Sequence, residues 1–345
     1  MASERDKLIL KFIAVNPASA TEILEKLHSK NFKITKITLN RDLNKLEKEN
    51  LITKEGEGRA TKYKLSNKYR IYREIKFAEY FSIDPDDRKV QEEFNFEIYP
   101  DLLEIFSKTE KEKLEKLNQE YQKNIANSTP TILKKELERL VIELSWKSSK
   151  LEGNTYTLLD TEKLIKESIE SQGHSHEEAV MILNHKKALD YIIKNKKDFK
   201  KIDTEKIQKL HSLLVKDLKI QTHFRKKKVG IIGTKYKPLA EQKKIELAVK
   251  ELCKAINKEK YPLAKALIAV AMISYIQAFE DGNKRTARIL ATALLLAHDY
   301  CPLSYRNVDE YDYKKAIILF YEQNNITFIK QLFTEQFEFA VNEYF

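Results

Sequence analysis

At 345 residues with 42% hydrophobic side chains, the chain can fill two cores, and its 7 glycines argue against glycine-rich β, collagen-like and low-complexity classes. Basic residues outnumber acidic ones by 63 to 52, and two distant cysteines, Cys253 and Cys301, exclude a disulfide scaffold or a cysteine metal motif. The longest apolar runs, near Ala266–Ile276 and Ile289–Ala297, fall short of a membrane span, and the charged start Ser3-Glu4-Arg5-Asp6 is unlike a secretory signal, so a cytoplasmic protein is expected.

Charge concentrates at the front, where residues 1–70 hold 16 basic and 9 acidic side chains. Apolar spacing predicts a helix from Glu4, ended by Asn16-Pro17, and a second begun by Ser19 with Glu22 completing a capping box. A third helix, about Thr38 to Asn50, should bury Leu39, Leu43 and Leu46 and expose Thr38, Asn40, Arg41, Asn44, Lys45 and Lys48. Two short alternating runs joined across Gly56 and Gly58 predict a hairpin ending near Leu65. Three helices and a hairpin resemble a winged helix-turn-helix. That likeness implies DNA as partner, with the third helix in the major groove and Arg59 and Lys62 on phosphates.

Residues 71–130 are charged and aromatic, broken by Pro85 and Pro100, with an exposed helix expected over Thr109–Gln122. Ser128-Thr129-Pro130 marks a boundary. No proline follows until Pro238, and Gly153, Gly173, Gly230 and Gly233 are the glycines in between, a pattern that predicts long helices.

The densest chemistry lies at Gln277-Ala278-Phe279-Glu280-Asp281-Gly282-Asn283-Lys284-Arg285-Thr286-Ala287-Arg288, a polar turn between two apolar helices. Amides opening the second helix lack intrahelical partners and carry partial positive charge, which suits an anion. Gly282 permits close backbone approach, Asn283 adds a neutral donor, Arg285 and Arg288 offer phosphate forks, and Asp281 supplies one carboxylate for magnesium.

This string resembles the Fic/Doc signature, HxFx(D/E)GNxRxxR. The resemblance implies an all-helical core that transfers AMP from ATP, with magnesium, to a serine, threonine or tyrosine hydroxyl of a protein target, or of the chain itself. Phe279 becomes a buried anchor, Asp281 the metal ligand, Gly282 and Asn283 the anion hole, and Arg285 and Arg288 the holders of the outer phosphates. Helices near Glu178–Ile192 and Ile207–Leu214 resemble core helices of the family. Gly230-Ile231-Ile232-Gly233 resembles its target-docking flap, an edge β-hairpin, and Tyr313 matches the adenine wall. The family's catalytic histidine falls at Gln277, whose amide cannot accept a proton near neutral pH. Either the natural chain has weakened chemistry or this residue is an inactivating replacement. Lys284 resembles the phosphate-transferring branch of the family, and Gly282 the AMP-transferring one.

Ser148-Ser149-Lys150-Leu151-Glu152-Gly153 resembles the family's inhibitory pattern, (S/T)xxxE(G/N), at the end of a helix over about 132–153. The likeness sets Glu152 against Arg288, in competition with phosphate. His185 and His211 fall on helical stripes and are expected to be satisfied core residues, and Gly173-His174-Ser175-His176-Glu177 a polar loop. The expectation is a mainly α protein: a winged helix-turn-helix over 1–70, a helical linker over 71–130, and a Fic domain with a small hairpin flap over 131–345. The expected activity is autoinhibited AMP transfer using ATP and magnesium, with no membrane partner and a second copy of the chain among the expected partners. The alternative is a nucleotide-sensing DNA-binding regulator whose Fic domain is degenerate.

Overall fold

Side-chain caps set most helix starts in this chain. In the computed structural model, which describes residues 3–14 and 16–344 apart from the Arg59 side chain, Ser3 caps α1 (Glu4–Phe12) and Ser19 caps α2 (Ala20–His28). Each serine closes a capping box with the acid three positions on, Asp6 or Glu22. Thr35 caps α3 (Lys36–Lys48), which buries Leu39, Leu43 and Leu46 in a cluster with Ile9, Ile13, Ile23 and Leu27. β1 (Ala18–Ser19), β2 (Ile52–Glu55) and β3 (Lys62–Leu65) form an antiparallel sheet in the order β1-β3-β2, with Ile52 opposite Leu65 and Ala18 opposite Tyr63. The hairpin lies where the alternation predicts it; β1 is too short to show any.

Contacts group the described residues into two units. One holds this front segment to residue 92, including α4 (Asn67–Tyr72) and α5 (Phe77–Phe81), together with residues 232–236 and 318–327. Inside it the buried Glu322 carboxylate accepts from the Tyr80 hydroxyl at 2.6 Å and lies 3.5 Å from Arg88.

The other unit holds residues 93–231, 237–317 and 328 onward. Its helices begin with α6 (Lys108–Asn127), capped by Ser107, and α7 (Pro130–Lys150), capped by Thr129 with Pro130 in the first turn, where no amide is needed. α8 (Leu158–Glu167), α9 (His176–Lys194), α10 (Thr204–Leu214) and α11 (Gln242–Lys258) follow. α12 (Pro262–Ile276) is buried from Leu263 onward and packs along α13 (Asn283–Ala297), with α9 and α10 also against α13. A helix apolar on all sides must be surrounded, and this pair forms the centre of the unit. α14 (Glu310–Gln323) and α15 (Thr327–Tyr344) complete the chain. Among the described residues helix reaches 64% and strand 3%, a mainly helical fold with one small sheet. No helix is long and apolar enough to cross a membrane.

One expectation fails here. Residues 223–240 contain no strand, so the hairpin flap is absent, and Gly230, Ile231, Ile232 and Gly233 lie in an irregular loop with a turn at Ile232 and Gly233. The buried Arg225 explains this. Its guanidinium donates to the carbonyls of Gln277 (2.6 Å), Lys227 (2.7 Å) and Leu239 (2.5 Å), so the two limbs are tied through a side chain instead of a ladder.

Candidate active site

α12 ends at Gln277, which takes a left-handed conformation (φ 51°, ψ 54°) while its amide bonds the Ile273 carbonyl. A five-residue turn then leads into α13 through Gly282, also left-handed at φ 77°. A β-carbon at 282 would lie 3.3 Å from Val215 Cγ1, 3.4 Å from His211 Cε1 and 3.5 Å from Arg285 Nη2. Glycine is therefore required twice, by backbone and by space.

Asn283 holds this turn closed. Its Oδ1 accepts from the Phe279 amide at 2.9 Å, and its Nδ2 donates to the Phe279 carbonyl at 2.8 Å and to Gln277 Oε1 at 3.1 Å. The sequence suggested a donor aimed at an anion; the side chain is instead spent within the turn, and the first-turn amides of α13 are the donors without intrahelical partners. Phe279 is fully buried, as the signature implies, and stacks on His211 with centroids 3.6 Å apart and planes within 10°. His211 Nε2 donates to the Gln221 carbonyl, leaving Nδ1 to accept from the Thr286 hydroxyl. Burial, and then the charge of Arg285, pull its pKa down to about 4, so the ring is neutral.

Arg285 and Arg288 project from α13 with side-chain exposures of 1% and 0%. Arg285 Nη2 reaches Asp281 at 3.0 Å, while its Nε and Nη1 are buried with no hydrogen-bond partner among the described residues. Burial lowers its pKa, only partly offset by Asp281 and Glu152. Orphaned guanidinium donors beside helix-opening amides fit a phosphate-bearing ligand. Asp281 is exposed in the turn, its side chain at 66%, as is its neighbour Glu280. No group of three or more His, Cys, Asp or Glu able to hold a metal occurs among the described residues. One carboxylate fits magnesium, which keeps its waters and takes phosphate oxygens, better than it fits a metal caged by protein alone.

Arg288 is engaged on every side. Nε donates to Ser148 Oγ at 2.8 Å, Nη2 to the Ser148 carbonyl and to Glu152 Oε1 at 2.8 Å each, and Nη1 lies 3.4 Å from the Tyr313 hydroxyl. Glu152 sits two residues beyond the end of α7, just before Gly153 (φ 99°) redirects the chain. Its second oxygen accepts from Lys284 Nζ at 2.9 Å. Burial alone would raise the Glu152 pKa, but Arg288 and Lys284 overcome it and pull the value down to about 2. Burial likewise opposes the Arg288 charge, and Tyr313 and Glu152 outweigh it, holding that pKa above its ordinary value.

The structure thus joins Ser148, Glu152, Lys284, Arg288 and Tyr313, and places Asp281, Gly282, Asn283 and Arg285 along the same turn and helix. Tyr313 offers its hydroxyl to Arg288, and its ring lines an apolar cavity of about 10 Å³ with Val270, Tyr305 and Phe333, space for a water and not for a purine. Sequence reasoning missed the Lys284–Glu152 pair and the Arg225 tie. The only signal for the pair was a lysine one position before a phosphate-fork arginine; Arg225 gave none. His185 also departs from expectation: it is fully buried on α9 with neither ring nitrogen bonded. Burial, with Arg288 and Arg285 adding to it, keeps it neutral.

On α3, Asn40, Arg41, Asn44 and Lys48 are exposed, as is Lys62 on β3, and Thr38 is half-buried. Two of this set are engaged within the protein: Lys45 Nζ binds buried Asp6 of α1 at 2.8 Å, and the Thr38 hydroxyl pairs with that of Thr35 at 3.1 Å. Arg59 falls outside the described side chains.

The fold and turn define a helical protein with a cationic elbow in which an acidic side chain pairs with Lys284 and Arg288. Residues 201–295 match the family model described as Fic/DOC family, so the chain carries a Fic/Doc domain. The protein adenylyltransferase Fic of Nematostella vectensis is 25% identical over 227 residues, covering 59% of this chain and 49% of that protein. The chain therefore spans about half the length of that curated relative. Fic-1 from C. elegans superposes with a TM-score of 0.59 at 17% identity, covering 68% of this chain and 71% of that one. A Fic-domain signaling protein from Bacteroides thetaiotaomicron gives 0.57 at 20%, covering 66% and 94% respectively. These two likenesses concern the fold alone.

Proposed function

We propose that the chain is a Fic-type protein adenylyltransferase held off by Glu152. The observation that carries this reading is the Glu152 carboxylate seated between Arg288 and Lys284, at the start of the helix that would receive the outer phosphates of ATP. Phosphate competes with that carboxylate for the same cations. A triphosphate bound while Glu152 stays in place has its outermost group displaced, and its α-phosphorus is then out of line for attack.

In the open form, the first-turn amides of α13 and Arg285 would hold the inner phosphates, and Arg288 and Lys284 the outermost one. Asp281 would hold magnesium, which supplies charge neutralisation on the phosphates. A serine, threonine or tyrosine hydroxyl, on a target or on the chain itself, attacks the α-phosphorus, AMP moves to that oxygen, and pyrophosphate leaves. The hydroxyl proton needs an acceptor. Gln277 can orient the hydroxyl but cannot take its proton, and general-base catalysis is worth about 10²–10⁴-fold. Slow transfer is the consequence.

Mass spectrometry after incubation with ATP and magnesium tests this. Glu152→Gly with Gln277→His should add AMP to the chain or a supplied target, and each single variant less. No adduct from the double variant overturns the reading, and a phosphate adduct reassigns the transferred group.

A second reading has its own support in Gln277 and in the exposed Asn40, Arg41, Asn44 and Lys48 of α3. Residues 1–70 then act as a winged helix-turn-helix on DNA, residues 71–130 connect, and the domain over 131–345 senses nucleotide without turnover.

A further inference from the structure

We infer that Lys284 is a second latch on Glu152, so that the closed state is held by two cations acting on separate oxygens. The inference rests on the inhibitory reading of Glu152 and names a further residue that enforces it.

The division of contacts is specific. Oε1 of Glu152 accepts from Arg288 Nη2 at 2.8 Å, and Oε2 from Lys284 Nζ at 2.9 Å. Arg288 does not depend on Glu152 for its place, because Ser148 binds it twice and Tyr313 faces its third nitrogen. Without Glu152 the arginine would remain where it is. Nothing of that kind holds Oε2, for which Lys284 is the charged partner among the described residues. Arg288 and Lys284 lie four positions apart on α13, one helical turn, so both face the end of α7 and a single carboxylate can span them. Glu152 follows the end of α7 by two residues, its amide still bonded to the Ser149 carbonyl at 3.0 Å, and Gly153 at φ 99° turns the chain away only after it, so the helix end sets the reach of the carboxylate.

Two consequences follow from this geometry. Opening requires both oxygens to be released, and each contact adds to the cost. Lys284, at 30% side-chain exposure against 0% for Arg288, is the contact that solvent and ligand reach first. Displacement of Glu152 therefore begins at Lys284, and a ligand phosphate recruited there loosens the carboxylate before Arg288 is exposed.

The test is a double-mutant cycle read by calorimetric titration with ATP and with ADP in magnesium, on the full chain. The four proteins are native, Lys284→Met, Glu152→Gly and the double variant. The readout is the preference for ATP over ADP, which reports access of the outermost phosphate to the cations. Removing Glu152 should raise this preference about tenfold, equivalent to about 1.4 kcal/mol. Lys284→Met should change the preference about fivefold more favourably in the native background than in the Glu152→Gly background, and Lys284→Arg should restore native behaviour. Equal effects of Lys284→Met in both backgrounds overturn the latch while leaving the inhibitory reading intact. No effect of Glu152→Gly on the preference instead overturns the inhibitory reading itself.

Discussion

Glu152, largely enclosed, and His211, fully buried, respond to pH through different windows. The Glu152 pKa is depressed to about 2, so its contribution to the folded, closed state is complete above the ordinary carboxylate value near 4.5 and is lost as pH falls toward 2. The melting difference between native protein and Glu152→Gln should be constant from pH 6 to 9, on the order of 2–3 kcal/mol, and shrink below about pH 4. Persistence of the full difference at pH 3 would contradict the ion-pair account. His211 is also depressed, to about 4, but as a base kept neutral. The unfolded chain binds the extra proton below about pH 6.5, so stability falls as pH drops from there toward 4. Differential scanning across that window should show a shallower acid slope in His211→Gln than in the native chain. Gly282→Ala should destabilise by about 1–2 kcal/mol, from the left-handed backbone and the 3.3 Å approach to Val215, as measured by chemical denaturation. At this scale the signature residues were legible because their types and spacing are local. The roles of Asn283 and His185 were not: Asn283 bonds its own turn, and nothing in a helical stripe marks a histidine left without hydrogen bonds.

The elements divide the same way. α1 to α3 could be read from apolar spacing, with Ser19 marking the start of α2, and α12 and α13 from apolar runs separated by the polar turn around Gly282. The hairpin of β2 and β3 was marked by its glycine turn. The loop over 223–240 could not be read, since its carbonyls are satisfied by Arg225, which binds Lys227, Leu239 and Gln277 at once. Arg225→Met leaves three carbonyl acceptors without their donor, at about 1–3 kcal/mol for each that stays dry. Limited proteolysis should then cut within 223–240 faster than in the native protein; an unchanged rate would show that the tie does not hold the loop. On α3, Lys45 was assigned to a groove-facing set but is bound to Asp6, a contact between helices with no local signal. If that helix reads DNA, Arg41→Ala and Lys48→Ala should each lower the salt slope of binding by about one, and Lys45→Ala should chiefly lower thermal stability. Fluorescence anisotropy at several salt concentrations distinguishes these effects.

Across the whole chain, 16 basic and 9 acidic residues in the first 70 set that region apart, and this was visible from composition. The grouping of residues 232–236 and 318–327 with the first 92 was not. It depends on partners far apart in sequence, such as buried Glu322 with Tyr80 and Arg88, where one acid must find its donors across more than two hundred residues. In the other unit, Glu152 pairs with Arg288, and the proposal is that its carboxylate takes the place of a phosphate there. Titration of native protein and Glu152→Gly with ATP and with ADP, in magnesium, addresses it directly. The account predicts nearly equal affinities for the two nucleotides in the native chain, and about a tenfold preference for ATP once the carboxylate is gone. The same ATP-to-ADP ratio in both proteins would contradict it.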